Sequence, residues 1–552
     1  MQRKDFLTDH QLLVKETEDI ITKDFGMTYP EIKRFHSSML QNITAYASKS
    51  PVYEGLKTIS DVARLSELPL TGPSEIQECF EKLGVEKALL APVARFWYTS
   101  GSTGKPKNVY YGKGDLDVIA QGLWHLLYLC GARPWNNAWV ITAAGGETLY
   151  GSVVEKYGVD GTISTLTGEM DLIKALRKAS SLKKIDAIVG TTWLFLLIDR
   201  IAKDPKDFER LVKDEVKKQV RIPGVSWLVA KYLLRGINYE QLGRSLKNAK
   251  FGFSSAEALS PYLSKILEAY PNMKMHDVFG ATEQWVQAIQ VSLEKNWLSF
   301  FLRYSVPEIA PPEEILKGKE DKNYRVKGVP WYEWKKGMKG ELILTRAGEC
   351  LPLVRYPTGD LIEVMDPAFT FEVQLERGKL QITLPAIKAL GRAADSVDFA
   401  EADESGNFLG FKVYARQIND ALMGIRNVRW WELYHVKGSP GRFVFLIIPE
   451  IPVSDEDAFR GEIRRSLVHM FDEFTAAAQG RAFLVGGTDA IEDERTYLDI
   501  LITRPSAYTL IDAEIKRRVK QGRAVGQLKP KRVFVVDNEE ALTARTRDKM
   551  EA

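Results

Sequence analysis

The chain has 552 residues, of which 45% are hydrophobic and 27% are charged, so it is long enough to bury a large core divided among several domains. Its 76 basic and 73 acidic residues give a net charge of +3, a near-balance that argues against nucleic acid or an anionic membrane as partner. Its three cysteines, Cys79, Cys130 and Cys350, lie far apart, which excludes a disulfide framework or zinc knuckle and favours a reducing, cytoplasmic location.

The N-terminal region predicts a helical lead-in. Residues 1–20 are charged throughout and predict no signal peptide, and no apolar run approaches the roughly 18 residues of a membrane span. Short helical patterns with polar connections fill residues 1–95, for example at 32–48. We expect this segment to pack on a larger body.

Residues 96–390 predict a large α/β domain. Short β-branched or aromatic runs alternate there with helical patterns, as is typical of a sheet flanked by helices. The strand candidates are 95–99, 108–112, 138–143, 187–192, 250–255, 275–280 and 340–345.

Residues 391–552 predict a smaller, mobile α+β domain. Its strand candidates are 431–436, 442–449 and 532–537, and two helices are expected between the last two. The first helix is expected to begin with a capping box of Ser454 and Asp457. Its apolar stripe, which we expect to be core, consists of Phe459, Ile463, Leu467, Met470, Phe471 and Phe474.

The sharpest functional signal is the glycine- and hydroxyl-rich run at 98–107 (YTSGSTGKPK), between two strand candidates. Such a loop can turn backbone N–H groups and hydroxyls toward one point, as phosphate binding requires. It is not a Walker A loop, because only two residues separate Gly101 from Gly104 and Pro106 stands where a Mg²⁺-binding hydroxyl should follow Lys105. A plain hairpin connection would need only one or two of these residues.

With this loop the chain resembles the adenylate-forming superfamily, which includes acyl-CoA synthetases, firefly luciferase and adenylation domains. Further motifs match in the same order: 279–283 (FGATE), 356–361 (YPTGDL) and the hinge start at 391–392. Within the superfamily the chain is most similar to phenylacetate-CoA ligase and its relatives. Segments 36–72, 255–257 and 412–418 carry that likeness, which extends from about residue 30 to the C-terminus.

The resemblance implies an ATP site. Thr282 would contact the α-phosphate, Glu283 would bind Mg²⁺, and Asp360 would accept hydrogen bonds from both ribose hydroxyls. The residues implied to hold the β- and γ-phosphates are Ser100, Gly101, Ser102, Thr103, Gly104 and Lys105. Those implied around the adenine are Ser255, Ala256, Glu257 and Phe279, and the ATP-binding set also includes Gly280, Ala281 and Arg392.

Each of these residues has a plainer alternative when taken alone. Asp360 could be a turn residue after Gly359, Glu283 an acid in a first helical turn, and Phe279 a core aromatic. Together with the loop, however, these residues form a single series of motifs in the family's order, which favours the interpretation that they bind ATP.

The resemblance also implies an acyl pocket and a catalytic lysine. The pocket candidates are Trp193, Gln284 and Trp285, whose aromatic rings suit a flat aryl acid, although buried tryptophans are equally often core. The family's adenylation lysine corresponds to Lys549, which could instead be an exposed terminal lysine. In that case Arg545 or Arg547 could take the role.

The chain departs from the family's pattern at several points. Segment 542–549 has neither the Pro nor the Gly of the family's lysine motif, and Ala394 replaces an acid or lysine in the hinge. Residues 401–407 lengthen a loop before Lys412, and Pro357 replaces a commonly basic residue. These departures affect the predicted transfer of the acyl group to its acceptor more than the predicted binding of ATP.

The sequence therefore predicts an ATP- and Mg²⁺-dependent carboxylate–CoA ligase. It would activate an aryl or arylalkyl acid as acyl-AMP, release pyrophosphate and transfer the acyl group to CoA after rotation of the C-terminal domain. One alternative is an amide synthetase that uses an amine acceptor, and another is a nucleotide-binding relative without turnover. Expected partners are the acid, ATP and CoA, with no nucleic acid and no membrane span, in a monomer or homodimer.

Overall fold

The architecture comes from a computed structural model. It describes residues 3–98, 108–143, 146–157, 161–166, 169–219, 225–255, 259, 263–281, 283–321, 323–392, 396–402, 408–414, 418, 421–422, 425, 427–436, 442–470, 498–520 and 532–552. Within these ranges, no helix is both long and apolar enough to cross a bilayer.

The helices connect and cover the sheets. The α-helices are α1 (Arg3–Phe25), α2 (Tyr29–Ala47), α3 (Pro73–Leu83), α4 (Val85–Ala88), α5 (Lys113–Leu129), α6 (Gly146–Tyr157), α7 (Glu169–Ser180), α8 (Thr192–Lys203), α9 (Pro205–Gln219), α10 (Val225–Leu234), α11 (Tyr239–Lys247), α12 (Leu263–Ala269), α13 (Pro312–Glu320), α14 (Glu456–Met470), α15 (Tyr508–Lys520) and α16 (Glu539–Glu551). Short 3₁₀ helices lie at Pro51–Tyr53, Val62–Glu67, Trp331–Glu333 and Pro505–Ala507.

The strands form one large sheet and three smaller ones. They are β1 (Arg95–Tyr98), β2 (Asn108–Tyr111), β3 (Ala138–Ala143), β4 (Gly161–Leu166), β5 (Ala187–Thr191), β6 (Phe251–Ser255), β7 (Lys274–Ala281), β8 (Gln284–Ile289), β9 (Leu298–Phe300), β10 (Val306–Ala310), β11 (Val329–Pro330), β12 (Lys339–Arg346), β13 (Leu353–Leu375), β14 (Gly378–Arg392), β15 (Ser396–Ala402), β16 (Phe408–Tyr414), β17 (Val428–Val436), β18 (Arg442–Pro449), β19 (Leu498–Ile502) and β20 (Val533–Val536).

The large sheet has the strand order β11-β10-β12-β13-β14-β9-β8-β7-β6-β5-β3-β4. The segment from β4 to β7 is parallel, and from β7 onward neighbouring strands are antiparallel. Helices α6, α7 and α8 lie against the parallel strands, as short apolar strands between amphipathic helices require. The predicted α/β fold is confirmed, and the strand candidates between 95 and 345 coincide with strands of the structure.

The first helix is longer than predicted. The sequence indicated short helices, whereas α1 has 23 residues, and α2, with 19, lies close to the helical pattern expected at 32–48. Polar residues interrupt the apolar pattern of α2, but its buried residues still follow helical spacing at Ile32, His36, Leu40 and Ile43. A continuous helix is therefore stabilised by packing on one face.

His36 of α2 is held in a single tautomer inside the protein. Its Nε2–H donates to the carbonyl of Leu302 at 2.6 Å, and the indole N–H of Trp331 donates to its Nδ1 at 2.8 Å. Burial is the main cause that lowers the pKa of His36 to about 4, and the nearby charge of Arg303 lowers it further. The imidazole is therefore neutral at pH 7.

A buried ion pair lies within the large sheet, and its arginine also binds the N-terminal segment. Arg355 and Glu308 are 0% and 1% exposed, and two guanidinium nitrogens donate to the carboxylate at 2.9 and 3.0 Å. Arg355 also donates to the carbonyls of Leu68 and Val326, and its φ of +46° lies in the left-handed region. This geometry satisfies a charge that burial would otherwise make very unfavourable.

The chain after β14 forms two further sheets. Strands β15 and β16 pair as an antiparallel hairpin, so residues 401–402 of the predicted loop belong to a strand. The sheet β19-β18-β17-β20 combines an antiparallel centre with parallel edges. The predicted strands and the two helices α14 and α15 are confirmed, whereas β19 was not predicted.

The predicted capping box of α14 is wrong by one residue. The side chain of Asp455 accepts the backbone N–H of Ala458, so Asp455 rather than Ser454 caps the helix, and Asp457 pairs with Arg460. An aspartate directly before the first helical residue is in a better position to accept that N–H. The predicted core residues Phe459, Ile463 and Leu467 are buried, while Phe471 and Phe474 lie outside the described residues and the side chain of Met470 is not described.

We predict that Glu308→Gln destabilises the fold by about 3–5 kcal/mol, because it leaves the buried Arg355 without a counter-charge. Urea denaturation followed by circular dichroism measures the change. The matched control is Glu67→Gln, which breaks an exposed pair with Arg64 and should cost less than about 1 kcal/mol. Equal effects of the two variants would contradict the role given to the buried pair.

We predict that His36 makes stability fall as pH decreases from about 6.5 to about 4. In that window the unfolded state binds a proton that the folded state does not. His36→Gln removes this term, so the gap in unfolding free energy between wild type and variant should narrow by up to about 1.4 kcal/mol per pH unit. Parallel pH profiles of the two proteins would contradict the prediction.

Candidate active site

The ends of two parallel strands bring predicted adenine-site residues together. Ser255 ends β6 and pairs with Val278 of β7, and β7 continues through Phe279, Gly280 and Ala281. Ligands of open α/β sheets bind at the carboxyl ends of parallel strands, because the side chains and backbone groups there face a common crevice. The structure therefore places these residues at one edge of the sheet.

Glu283 connects two of the predicted motifs. The hydroxyl of Tyr356 donates to its Oε1 at 2.8 Å. Burial raises the pKa of Tyr356 well above its usual value, and the charge of Glu283 raises it further, so the phenol stays protonated. The hydrogen bond thus orients the carboxylate and joins the 279–283 motif to the 356–361 motif.

The predicted ribose residue Asp360 pairs with the predicted ATP-binding residue Arg392. They face each other across β13 and β14, and Arg392 Nε lies 2.9 Å from Asp360 Oδ1. Arg392 also donates to the carbonyl of Thr358 at 3.1 Å. Gly359, with φ of +77°, lies inside β13 directly before Asp360, where the pairing with β12 shifts register.

The buried Glu341 supports this irregular part of β13. Its carboxylate accepts the backbone N–H of Gly359 at 3.0 Å. Burial is the main cause that raises the pKa of Glu341, with a smaller contribution from the charge of Asp360. The backbone before Asp360 is therefore held by a side chain of the neighbouring strand β12.

Sequence reasoning missed Arg346, which ends β12. Its Nε donates to the backbone carbonyl of Glu283 and its Nη1 to that of Ala347, both at 2.7 Å, and the side chain is 8% exposed. The guanidinium also lies over the ring of Tyr111, 5.7 Å from its centroid. The sequence feature that could have indicated it is the position of this charged residue directly after the apolar strand candidate 340–345.

Glu283 and Arg346 border two cavities. The smaller, of about 40 Å³, also touches Phe80, Tyr110 and Tyr356. The larger, of about 680 Å³, lies between α2 and α5. Its described walls do not include the predicted acyl-pocket residues Trp193, Gln284 and Trp285, whose side chains the structure does not describe.

The backbone of these three residues is described. Trp193 lies in the first turn of α8 rather than in the preceding strand, which ends at Thr191, and Gln284 and Trp285 begin β8. Thr191 pairs with Ser255, so the α8 turn begins beside the predicted adenine residue.

Several predicted site residues lie outside the described residues, including the whole phosphate-binding loop. Strands β1 and β2 pair up to Tyr98 and Asn108, so the two ends of that loop are neighbours. The residues outside the description are Ser100, Gly101, Ser102, Thr103, Gly104, Lys105, Ala256, Glu257 and Thr282.

Lys549 is not an exposed terminal lysine. Its side chain is 17% exposed, and its ammonium lies 2.6 Å from Oε2 of Glu432, which is 3% exposed. Tyr434 also donates to this carboxylate. On the same helix, α16, Arg545 is exposed beside the ring of Phe534, and Arg547 is exposed.

The chain is similar to known ligases in sequence and fold. It is 24% identical over 413 residues to phenylacetate-coenzyme A ligase of Thermus thermophilus. The matched residues cover 72% of this chain and 76% of that protein. The structure of 2-hydroxyisobutyryl-CoA ligase in the postadenylation state with R3-HIB-AMP matches with a TM-score of 0.57 and 14% identity, over 96% of this chain and 94% of that one. Its open conformation with 2-HIB-AMP and CoA matches with a TM-score of 0.53 and 14% identity, over 87% and 89%.

No family model matches the chain. The sequence comparison and the structure comparison nevertheless both match CoA ligases. They confirm the predicted resemblance to the adenylate-forming superfamily and to phenylacetate-CoA ligase.

We predict that Lys549→Ala lowers the free energy of unfolding of the segment that contains β17 and α16 by about 3 kcal/mol, because it leaves the buried Glu432 unpaired. Hydrogen exchange of that segment measures the change. The double variant Lys549→Ala/Glu432→Gln should recover much of the loss, since no buried charge remains. No recovery in the double variant would contradict the pairing.

Proposed function

We propose that the protein is an ATP-dependent carboxylate–CoA ligase that activates its acid as acyl-AMP, releases pyrophosphate and transfers the acyl group to CoA. The observation that carries the proposal is the convergence of two motifs distant in sequence, in which Tyr356 orients Glu283 and Asp360 pairs with Arg392. The sequence likeness to phenylacetate-CoA ligase and the match to a CoA ligase over 96% of the chain support it.

The chemistry needs an acid carboxylate to attack the α-phosphorus of ATP although both groups are negative. The site must hold them in line and neutralise their charge. In this proposal the loop 100–105 holds the β- and γ-phosphates and Thr282 contacts the α-phosphate. Ser255 and Phe279 bind the adenine, and Asp360, oriented by Arg392, accepts the ribose hydroxyls.

The residues present fit a magnesium ion at Glu283. The described residues contain no cluster of three or more His, Cys, Asp or Glu side chains that would form an all-protein metal cage. Mg²⁺ commonly takes one or two carboxylates and completes its shell with phosphate oxygens and water, so one oriented carboxylate suits it. When bound, the ion would neutralise phosphate charge.

We further propose that the chain divides into a lead-in at 1–95, an ATP- and acid-binding domain at 96–390 and a mobile domain at 391–552. The last strand of the large sheet ends at Arg392, and Gly391 has a φ of +119°, which suits a pivot. The related 2-hydroxyisobutyryl-CoA ligase has been solved in postadenylation, open and thioesterification states. Such a rotation would exchange the groups that face the site.

Lys549 is the proposed adenylation lysine. To reach the acyl-AMP site its ammonium must leave Glu432, so the ion pair and the catalytic role compete for the same charge. The double variant Lys549→Ala/Glu432→Gln separates the two roles. A catalytic lysine predicts lost adenylation in the double variant despite restored stability, whereas a purely structural lysine predicts restored adenylation.

We predict that the protein catalyses acid-dependent exchange of labelled pyrophosphate into ATP, with Lys549→Ala slower by orders of magnitude. A panel of aryl, arylalkyl and aliphatic acids is incubated with ATP, Mg²⁺ and labelled pyrophosphate. CoA or a panel of amines is then added, and thioester or amide is identified by mass spectrometry. Arg517→Ala, which removes an exposed cation of α15, is the matched control.

Three outcomes decide between the possible functions. Exchange followed by thioester formation supports the proposal. Exchange followed only by amide formation would replace CoA with an amine acceptor. Absence of exchange with every acid would leave a nucleotide-binding protein without turnover.

A further inference from the structure

The larger cavity has the properties of a ligand site. Its volume of about 680 Å³ falls within the roughly 300–1,000 Å³ of pockets that take drug-sized ligands. It is open to solvent at its edge, where Ser38, Asn42 and Val118 are exposed. The apolar side chains on its helical walls are Phe35, Met39, Ile43, Val118, Ile119 and Leu123.

One wall of the cavity carries a buried cation. Arg346 is 8% exposed and donates to the backbone carbonyls of Glu283 and Ala347. Among the residues that the structure describes, no carboxylate forms an ion pair with it. A buried guanidinium gains most from a partner of opposite charge, so this position favours an anion.

The other charges of the cavity wall are already engaged. Arg303 pairs with Asp24 at 3.0 Å. Asp115 accepts the backbone N–H groups of Gly112 and Glu349, and Glu349 accepts that of Gly114. These carboxylates disfavour a polyanion, so the cavity suits a ligand with one negative group and a large apolar part.

We propose that Arg346 binds the carboxylate of the acid substrate and that the α2–α5 cavity holds its tail. The substrate class is then a large apolar monocarboxylic acid, with a long alkyl chain or fused rings, rather than a single-ring acid. The inference rests on the proposed function, because Glu283 places this end of the cavity beside the expected site of adenylation.

The pantetheine arm of CoA is a less suitable occupant. Its amides need polar partners along their length, whereas the helical walls offer mainly apolar side chains. The triphosphate of ATP would bring several negative charges next to Asp115 and Glu349. The acid therefore explains both the apolar walls and an arginine that has no carboxylate partner in the described part of the chain.

The test measures binding and adenylation separately. Hexadecanoic acid, hexadecanol, phenylacetic acid and pantetheine are titrated by calorimetry without ATP, and pyrophosphate exchange is measured with the two acids. The variants are Arg346→Gln, which removes the cation, and Ile119→Trp, which fills the cavity. Leu316→Trp is the matched control, because Leu316 is exposed on α13, away from the cavity walls.

We expect hexadecanoic acid to bind more tightly than phenylacetic acid and to support exchange. Arg346→Gln should weaken binding of hexadecanoic acid by about 10- to 100-fold, the value of hydrogen bonds to a charged group, and leave hexadecanol unchanged. Ile119→Trp should weaken both long-chain ligands, and Leu316→Trp should affect neither. Circular dichroism shows whether each variant is folded.

The remaining outcomes overturn one claim or the other. The cavity assignment would be overturned, and the ligase function would stand, if two results came together. Hexadecanoic acid would not bind, and pyrophosphate exchange with phenylacetic acid would be the same in Ile119→Trp as in the wild type. Variant-sensitive binding of hexadecanoic acid without exchange by any acid would overturn the ligase function while the cavity assignment stands. Loss of pantetheine binding in Ile119→Trp, with acid binding intact, would identify the cavity as the CoA channel and overturn the inference.

Discussion

The candidate site depends on the buried pair of Arg355 and Glu308, because that pair fixes the start of strand β13. A buried guanidinium is tolerated only where its donors meet a carboxylate and backbone carbonyls in one geometry, so the strand has one acceptable register there. Tyr356, which orients Glu283, is the next residue, and Asp360 follows on the same strand. The charge that joins the lead-in to the sheet thereby positions two motif residues.

The candidate site takes residues from both the parallel and the antiparallel half of the large sheet. The parallel half supplies strand ends with Ser255 and Phe279, and the antiparallel half supplies β12 to β14 with Arg346, Asp360 and Arg392. Glu283 stands between β7 and β8, where the sheet changes direction. The local charges are strongly organised although the whole chain carries only +3.

Sequence reasoning was most successful where a pattern is local. Strand runs and ordered motifs are properties of neighbouring residues, so the α/β fold and the order of the motifs could be anticipated. The contacts of Tyr356 with Glu283 and of Asp360 with Arg392 could not, because they join residues far apart in the chain. Arg346 and the α2–α5 cavity could not, since α2 and α5 are far apart in the chain and each shows only an amphipathic pattern. The burial of Lys549 was missed for the same reason, because its partner Glu432 lies on a strand 117 positions earlier.

The Lys549–Glu432 pair has a consequence for the timing of any reaction that uses this lysine. An ammonium held by a buried carboxylate is available only in the fraction of molecules that have broken the pair. Each 1.4 kcal/mol by which the pair favours the held state reduces that fraction tenfold. The C-terminal sheet would then limit the rate of the reaction. The strength of one ion pair would set the fraction of molecules whose lysine is free to take part in catalysis.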